Sequence, residues 1–411
     1  MQVNGSKNLT YSSKNLYSVY IFTPAGCKTK LALLLTSLTV GLMGLVGNSL
    51  ILYYVSWKKR VTIIERSVFM KNFNLYIKSL ALSDVLCTAV SLPLTCIQFY
   101  FDVFQNQWPC IIARYFNIVF PIITIHNLIV ISIEKYLSLR RVPRPLNSST
   151  VRKLIFLAWF LGCVTTLFPA ATFKGIRYDL NETHFTVICK YDNEHLPFRL
   201  MFLSFTLVEY VLPSMFLAAV NISLINIVWV LVKFRVSSQA NNPIRRKLRV
   251  AKIRGTFLLI AVTFSFIIPY FFYLGYVTYN MIFKPVVDFQ TDYVIRYGSG
   301  VIAFSNSAIN FAIYVVHMKG FRVFLRRLFC GANTVDCQEA SSKWMQKASS
   351  QQSVEMTILQ ERSGYGLESD VDRKSKKEQV NRTKVTSNLI DTNEPQQSVS
   401  IIEVSLLWRS Q

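Results

Sequence analysis

Charged residues are scarce in this sequence. They make up only 16% of its 411 residues, whereas soluble domains average about 25%. Acidic residues are the scarcer kind, with 22 Asp and Glu against 45 Lys and Arg, while 52% of the residues are hydrophobic. This balance excludes an ordinary water-soluble protein, because so much apolar surface needs lipid as part of its solvent.

Several other signals are missing. The eight cysteines are spread over the whole length, which excludes a compact disulfide scaffold. The first thirty residues contain no apolar run, so we expect no cleaved signal peptide. The absence of an internal repeat disfavours a transporter built from duplicated halves. No nucleotide loop, catalytic triad or zinc-ligand spacing is present, and His126 has no partner at such a spacing, so we do not expect an enzyme.

Seven segments are each long and apolar enough to cross a bilayer as a helix, which takes about 20 residues. They run over 31–57, 74–100, 111–137, 154–172, 198–232, 256–281 and 293–317. The sequence therefore predicts an all-α membrane protein, a seven-transmembrane helix bundle within residues 31–331. An extracellular segment, 1–30, precedes the bundle. A cytoplasmic tail, 332–411, follows it, and its Ser, Gln, Lys and Glu content is typical of disorder.

Basic residues lie mostly on one side of these segments. Lys and Arg number 22 in the stretches after segments one, three, five and seven, against eight on the other side. Because cytoplasmic loops are richer in Lys and Arg, we expect a multi-pass plasma-membrane protein with its N-terminus outside. The positive charge then orients the chain among membrane lipids, and nucleic acid is not an expected partner. Outer sequons predict glycans at Asn4, Asn8 and Asn181.

Polar side chains inside apolar segments indicate function, because placing them in lipid is costly. Asp84 lies within LALSDVL, and NSAINFAIY places Asn306, Asn310 and Tyr314 at intervals of four, on one helix face. In a bundle, the Asp84 carboxylate can meet hydroxyl and amide groups of Thr124, Asn306, Ser307 and Asn310. Such a set is either a hydrogen-bond network between helices or a site for a small hard cation such as Na⁺. No other cofactor is expected.

The motifs, in this order and spacing, resemble those of rhodopsin-like (class A) G-protein-coupled receptors over about residues 31–331. They include GLVGNSL, LALSDVL, QWPC, EKY and NSAINFAIY, followed by FRVFLRRLFC. The resemblance implies a receptor that couples an extracellular ligand to a heterotrimeric G protein and engages arrestin. It also implies a disulfide between Cys110 and Cys189, and a short amphipathic eighth helix that ends in a palmitoylation site at Cys330. Cys27 and Cys96, near the outer surface, are either paired or free thiols.

By the same resemblance, the cytoplasmic ends of the segments carry a G-protein switch. Its residues are Glu134, Lys135, Tyr136 and Tyr314. At four positions of the family's wider set of switch motifs, this chain has a different residue from the usual one. These residues are Lys135, Asn221, Ile267 and Phe311. Lys135 replaces an Arg and lacks its planar fork, and Phe311 replaces a Pro and keeps its backbone N–H. The chain is therefore either a divergent signalling receptor or a non-signalling decoy or arrestin-coupled receptor, with a transporter or channel as the third class.

The resemblance also restricts the ligand. Asn117 stands where amine receptors carry Asp, and Phe304 stands where opsins carry the retinal-binding Lys. We therefore expect a peptide or a small molecule rather than a typical bioamine or retinal, with Asn117 as a candidate contact.

Other candidate ligand contacts are charged or aromatic. Glu209 and Arg296 lie near the expected cavity, and they either contact the ligand, pair with each other or face interfacial water. Aromatic walls are expected from Tyr270 and Tyr273, with Phe271 and Tyr276 beside them. Acidic residues of the second outer loop either favour a basic peptide or are simply solvated; they are Asp179, Glu182, Asp192 and Glu194.

Overall fold

The computed structural model describes residues 18–57, 67–104, 106–139, 144–192, 194–237 and 243–330. Within these ranges the chain forms eight helices and three short strands. The helices are α1 (Cys27–Trp57), α2 (Val68–Tyr100), α3 (Gln107–Leu139), α4 (Ser148–Ala170), α5 (196–237), α6 (Pro243–Phe283), α7 (Phe289–His317) and α8 (Lys319–Cys330). The strands are β1 (Val19–Tyr20), β2 (Phe173–Asp179) and β3 (His184–Tyr191).

In the described part of the chain, α1 to α7 are long and apolar enough to cross a membrane. The predicted seven-helix membrane bundle is thus confirmed. Most helices extend past the apolar segments that predicted them, because helical hydrogen bonding continues among polar residues outside the lipid. The polar side chains of Ser67, Asn147 and Asp288 begin α2, α4 and α7 by accepting hydrogen bonds from first-turn N–H groups. These caps satisfy donors that have no partner within the helix.

The α3 helix runs through the centre of the bundle. Its inward side chains Ile122, Ile125 and Leu128 are fully buried and belong to the main apolar core. By contrast, large apolar side chains such as Leu42 of α1 and Phe156 of α4 are exposed on the outside. Such an exposed apolar surface is expected where side chains face lipid instead of water.

Glycines allow α1 to approach α2 and α7 closely. A Cβ atom at Gly44 would lie 2.7 Å from Cγ2 of Thr88, and one at Gly47 would lie 2.3 Å from Cγ of Phe311. Both distances are shorter than a van der Waals contact, so neither position has room for a larger residue. The side chain of Phe311, at the position where the family has proline, occupies the space that Gly47 leaves open.

Two of the membrane helices contain a wide turn of π-helix. The turns span Cys87–Ser91 in α2 and Leu207–Val211 in α5, and Pro93 and Pro213 follow each turn by two residues. Proline lacks an N–H and crowds the preceding turn, and an inserted π-turn changes which side chains face the bundle after it. The turn in α5 carries Glu209.

A small sheet of order β1-β3-β2 packs on the outer ends of the helices. β2 and β3 form an antiparallel hairpin with Gly175 opposite Cys189, and β1 pairs in parallel with β3. The disulfide between Cys110 and Cys189 is present, which confirms the pairing expected from the resemblance. It attaches β3 to the start of α3 and so fixes the hairpin over the bundle.

The short helix α8 follows α7 as predicted. Its Phe321 is fully buried, and its ring centre lies 5.5 Å from that of Tyr54 in α1 and 6.2 Å from that of Phe311 in α7. Arg322 donates to the carbonyl oxygen of Val315 at 3.2 Å, which satisfies an acceptor in the last turn of α7. α8 is therefore held against α1 and α7 by its apolar side.

Candidate functional site

A cavity lies in the outer half of the bundle beneath the hairpin. The empty space between its walls, including the open solvent at its mouth, is about 750 Å³. One wall, formed by β2, α5 and α6, is largely aromatic and contains Phe173, Phe202, Phe205, Tyr210, Tyr270 and Tyr273. The other, formed by α2, α3 and α7, carries the polar residues Thr95, Arg114, Asn117, Arg296 and Tyr297.

Four of the five predicted ligand contacts line this cavity, namely Asn117, Tyr270, Tyr273 and Arg296. Asn117 donates from Nδ2 to Oγ1 of Thr95 at 3.1 Å, so α2 and α3 are joined at the cavity floor. Phe304 also lines the cavity. Contact of these residues with a ligand stays a prediction. Phe271 is placed differently from the expectation, because 72% of its surface is exposed on the outer face of α6.

Glu209, the fifth candidate, is not among the residues that line this cavity. Its Oε2 lies 2.8 Å from Nε2 of His126 in α3, and Nδ1 of that histidine lies 3.4 Å from the carbonyl oxygen of Ala158 in α4. Among the described residues, Arg296 pairs with Asp292 and not with Glu209. Glu209 therefore joins α5 to α3, and it stands outside the lining of the cavity.

Arg114 is a cavity residue that the sequence analysis did not single out. It lies one turn after Cys110 in α3 and is only 7% exposed. Its Nη2 donates to the carbonyl oxygen of Cys189 at 3.0 Å and to Oε1 of Gln98 at 3.4 Å. The guanidinium carbon lies 5.6 Å from the ring centre of Phe173. These partners are uncharged, and the described residues supply no ion pair to Arg114.

Arg296, also 7% exposed, shares one carboxylate with other groups. Its Nη2 donates to Oδ2 of Asp292 at 2.6 Å. The other oxygen of Asp292 accepts from the Tyr276 hydroxyl at 2.7 Å and lies 3.7 Å from Nζ of Lys190. Burial lowers the pKa of Lys190 below its ordinary value, and Asp292 partly offsets this effect. Nε and Nη1 of Arg296 are buried and have no acceptor among the described residues.

The acidic residues of the outer hairpin are engaged outside the cavity. Asp192 is buried, lies 2.5 Å from Nζ of Lys174 and is hydrogen-bonded to His195 at 2.7 Å. Burial raises the pKa of Asp192, but the bonds from Lys174 and His195 outweigh it and lower the pKa to about 2. Asp179 pairs with Arg177 at the exposed surface. These acids do not line the cavity, so the hairpin offers a basic ligand no counter-charge there.

Below the cavity, Asp84 accepts hydrogen bonds from the seventh helix. Ser307 donates from Oγ to Oδ1 of Asp84 at 3.1 Å, and Asn310 donates from Nδ2 to Oδ2 at 2.8 Å. Asn48 of α1 donates to the carbonyl oxygen of Ser307 at 2.9 Å. The polar residues of LALSDVL and NSAINFAIY therefore meet in the bundle interior, as their spacing suggested.

The other two predicted members lie at the edge of this cluster. Oγ1 of Thr124 lies 2.9 Å from Oγ of Ser83, the neighbour of Asp84 in α2. Ser265 of α6 donates to Oδ1 of Asn310 at 2.9 Å and lies 3.5 Å from Oδ1 of Asn306. The cluster therefore joins α2, α3, α6 and α7.

The predicted sodium site can be compared with the groups around Asp84. The Asp84 carboxylate is only 3% exposed and forms no ion pair with any described residue. Carboxylate, hydroxyl and amide oxygens are the ligands that such cations prefer. Asp84, Ser307 and Thr124 offer such oxygens, whereas Asn310 turns its Nδ2 towards Asp84 and its Oδ1 towards Ser265. Binding of Na⁺ by these residues and Asn306 stays a prediction.

Near the end of α3 that lies away from the hairpin, Glu134 and Lys135 are both fully buried. Nζ of Lys135 lies 2.8 Å from Oε2 of Glu134. The ring centre of Phe69 lies 4.0 Å from the same Nζ, and that of Tyr76 lies 5.4 Å from it. Lysine is thus accommodated at this switch position by one carboxylate and two aromatic faces of α2.

The α6 helix offers Lys135 no carboxylate, because residues 243–283 contain no Asp or Glu. It presents instead Lys252, whose Nζ lies 5.9 Å from the ring centre of Phe69. Phe69 is therefore near two ammonium groups from different helices. Like charges repel, so the contact of α6 with this end of α3 lacks a direct ionic attraction to Lys135.

The remaining switch residue, Tyr314, is fully buried beneath the Asp84 cluster. Its hydroxyl has no hydrogen-bond partner within the described residues. Tyr136 is half-buried and packs on an apolar cluster formed by α3, α5 and α6. The structure thus places Tyr314 in the core of the bundle and Tyr136 nearer its surface.

Several predicted modification sites receive little structural description. Asn181 is exposed in the turn between β2 and β3, where a glycan has room. Asn4, Asn8 and the tail 332–411 lie outside the described residues, as does the side chain of Cys330. Cys27 and Cys96 are both free thiols, so the alternative that they pair is wrong.

Two residues missed from the sequence had detectable signals. Arg114 is a charged residue inside an apolar segment, the same signal that identified Asp84. Asp292 precedes Arg296 by four residues, the spacing at which opposite charges meet on a helix. Gln98, which accepts from Arg114 and from Tyr297, had no comparable signal.

Comparison with known proteins gives the same result. The sequence model of the family described as seven-transmembrane receptor (rhodopsin family) matches residues 47–314. The RYamide receptor of Tribolium castaneum is 25% identical over 300 residues, which are 68% of this chain and 75% of that protein. The allatostatin-A receptor of Bombyx mori is 23% identical over 305 residues, 71% of this chain and 78% of that protein. The QRFP-like peptide receptor of Branchiostoma floridae is 24% identical over 318 residues, which are 74% of this chain and 79% of that protein.

The matched range contains the outer disulfide, the Asp84 cluster and the Glu134–Lys135 pair. It also covers more than half of the chain. The bundle, its internal polar contacts and the family match therefore agree, and they place the protein among receptors and not among enzymes. The chain belongs to the rhodopsin family of seven-transmembrane receptors.

Proposed function

We propose that this protein lies in the plasma membrane with its N-terminus outside and transduces the binding of an extracellular peptide to a heterotrimeric G protein. The observation that carries the proposal is that three polar features follow one another along a single helix bundle of this family. An outer cavity lies above the Asp84 cluster, and the buried Glu134–Lys135 pair lies at the cytoplasmic end. A peptide ligand is supported by the relatives, which are named as receptors for RYamide, allatostatin-A and a QRFP-like peptide.

The contacts suggest how binding is transmitted. A ligand in the cavity touches α3, α6 and α7 together, and the Asp84 cluster joins the same helices through Ser265, Asn310 and Thr124. A shift of α6 against α7 would break the bond from Ser265 to Asn310. Release of Lys135 from Glu134 and Phe69 would then expose a positive charge to the G protein. The ligand can favour the released state only by the difference between its affinities for the released and resting states.

The second candidate is a receptor that binds ligand or arrestin without nucleotide exchange. The observation that favours it is the complete burial of Lys135, which is held by Glu134, Phe69 and Tyr76. Releasing this ammonium group costs more than releasing an exposed one, because its carboxylate partner would remain buried and unpaired.

A library screen distinguishes the two candidates. Cells that express the full chain with a promiscuous G protein are exposed to peptides and small molecules, and both G-protein activation and arrestin recruitment are recorded. We expect a peptide that activates the G protein in cells with the receptor and not in matched cells without it. Arrestin recruitment without G-protein activation would support the second candidate and overturn the first.

A further inference from the structure

We infer that the ligand of the outer cavity presents an anionic group, such as a carboxylate, to Arg114 and Arg296. The same ligand presents an aromatic or aliphatic body to the opposite wall. This inference rests on the proposed function, because it names the chemical class of ligand for the same cavity.

The first observation is the set of unused donors on Arg296. The residue is 93% buried and lines the cavity, and Nη2 alone reaches Asp292. Nε and Nη1 are buried without an acceptor among the described residues. Buried N–H groups of native proteins nearly always have a partner, and an unsatisfied charged donor is especially costly. A carboxylate is the acceptor best matched to a guanidinium group, since it can take two parallel hydrogen bonds.

The second observation is the charge balance at this end of the cavity. Arg114, Lys190 and Arg296 are cationic, and Asp292 is the only carboxylate that contacts any of them among the described residues. Arg114 itself is bonded to a carbonyl, an amide oxygen and an aromatic ring. Buried charge without a counter-charge is unfavourable. An anionic ligand group supplies that counter-charge, whereas a cationic group meets like charge in a confined space.

The third observation is the division of the cavity between its two walls. The guanidinium groups come from α3 and α7, whereas α5 and α6 contribute Phe202, Phe205, Tyr210, Tyr270 and Tyr273. Aromatic walls stabilise a bound ring or alkyl group by burying it from water. The best-fitting ligand is therefore amphipathic, with its negative group at one end. In a peptide, the negative group is either a free terminal carboxylate or an acidic side chain next to an aromatic residue.

Three short peptides test this inference by direct binding to the purified full-length receptor. They are N-acetyl-Ala-Ala-Phe as the free acid, the same peptide as its terminal amide, and N-acetyl-Ala-Asp-Phe amide. We expect at least one anionic peptide to bind at least tenfold more tightly than the neutral amide, a difference of about 1.4 kcal/mol. The preferred anionic peptide identifies the source of the charge. Equal or tighter binding of the neutral amide overturns the inference, as does the absence of binding by either acid up to about 1 mM.

Variants of the two cavity arginines test whether Arg114 and Arg296 cause the tighter binding of anionic peptides. Arg114→Gln, and Arg296→Gln combined with Asp292→Asn to keep the local charge balanced, should each reduce the anion preference to less than threefold. Arg177→Gln is the matched control, because Arg177 is exposed on β2 and does not line the cavity. An anion preference that persists in both cavity variants places the anion elsewhere and overturns the assignment.

Direct binding separates this inference from the proposed function. A receptor that prefers anionic peptides but activates no G protein overturns the proposed function alone. One that activates a G protein with a cationic peptide, and shows no anion preference, overturns this inference alone.

Discussion

Lys135 carries a positive charge into the interior of a membrane protein. Its ammonium group contacts one carboxylate and two aromatic faces, and both members of the ion pair are inaccessible to solvent. A compact ammonium group suits this environment, because it can sit over a ring face without the in-plane hydrogen bonds that a guanidinium group requires. The rings of α2 therefore stabilise the resting position of this residue.

Replacement of Phe69 by leucine tests that contact. A desolvated cation–π interaction contributes about 2 kcal/mol, so the Phe69→Leu receptor should unfold at a lower temperature and release Lys135 more readily. We expect higher basal nucleotide exchange, measured as uptake of GTPγS by a purified G protein without ligand. Phe73→Leu is the matched control, since Phe73 is a buried ring of the same helix that packs in the apolar core. An equal rise in both variants, or a rise in neither, would contradict the role given to Phe69.

Asp84 is the second residue whose charge requires a partner. We propose that Na⁺ bound at Asp84 favours the resting arrangement, in which Ser307 and Asn310 also contact the carboxylate. The wild-type receptor should be more heat-stable in NaCl than in choline chloride of equal ionic strength. Asp84→Asn, which keeps the shape but removes the charge, should show no difference between the salts. If the unfolding temperature of the wild type is also the same in both salts, the cluster is only a hydrogen-bond network.

The contact of helix α1 with helix α7 depends on the absence of a side chain at Gly47. The ring of Phe311 occupies that space and reaches Phe321 of α8. In this receptor, the side chain that replaces the family's proline therefore links three helices through packing.

Gly47→Ala should disrupt this packing, because the added Cβ would lie 2.3 Å from Cγ of Phe311. Overpacking of this kind costs about 1–3 kcal/mol, which should appear as a lower unfolding temperature of the purified receptor. In a receptor that already carries Phe311→Ala, Gly47→Ala should lower the unfolding temperature by a smaller amount. Gly298→Ala in α7 is the control, since a Cβ there meets no atom within 4 Å. Equal effects of the two glycine substitutions would show that Phe311 does not restrict position 47.

The outer hairpin makes a pH-dependent contribution through Asp192. Its pKa of about 2 in the folded protein lies below the usual value of about 3.9. The group therefore stabilises the fold above about pH 4, and this contribution is lost as the pH falls from about 4 towards 2. Asp192→Asn should lower the unfolding temperature at pH 7, and its difference from the wild type should narrow as the pH falls below about 4.

Asp179→Asn serves as the control for this prediction. Asp179 and its partner Arg177 are both exposed, and exposed ion pairs contribute little to stability. We expect this variant to resemble the wild type across the whole pH range. A difference between Asp192→Asn and the wild type that stays constant from neutral to acidic pH would argue against the titration of Asp192.

For the whole molecule, the sequence predicted properties that depend on local composition or on regular spacing. The seven segments follow from the length of apolar runs, and the convergence of Asp84 with Asn310 follows from a stripe on one helix face. The sequence did not predict the partner of Glu209, because the rotation of α5 at that point depends on a π-turn. It also did not reveal that Arg114 and Arg296 line one cavity, since that depends on how α3 and α7 pack.

We propose that this receptor passes a signal from the outer cavity to a G protein through Lys135. The most direct measurement is GTPγS uptake by a purified heterotrimeric G protein in vesicles that contain the full-length receptor, with and without a ligand from the screen. We predict that the ligand accelerates uptake in the wild type and fails to do so in Lys135→Ala, although that variant still binds the ligand. If the ligand binds the wild type but, with every class of G protein, uptake stays at the level of receptor-free vesicles, the receptor does not activate G proteins and the proposal is wrong.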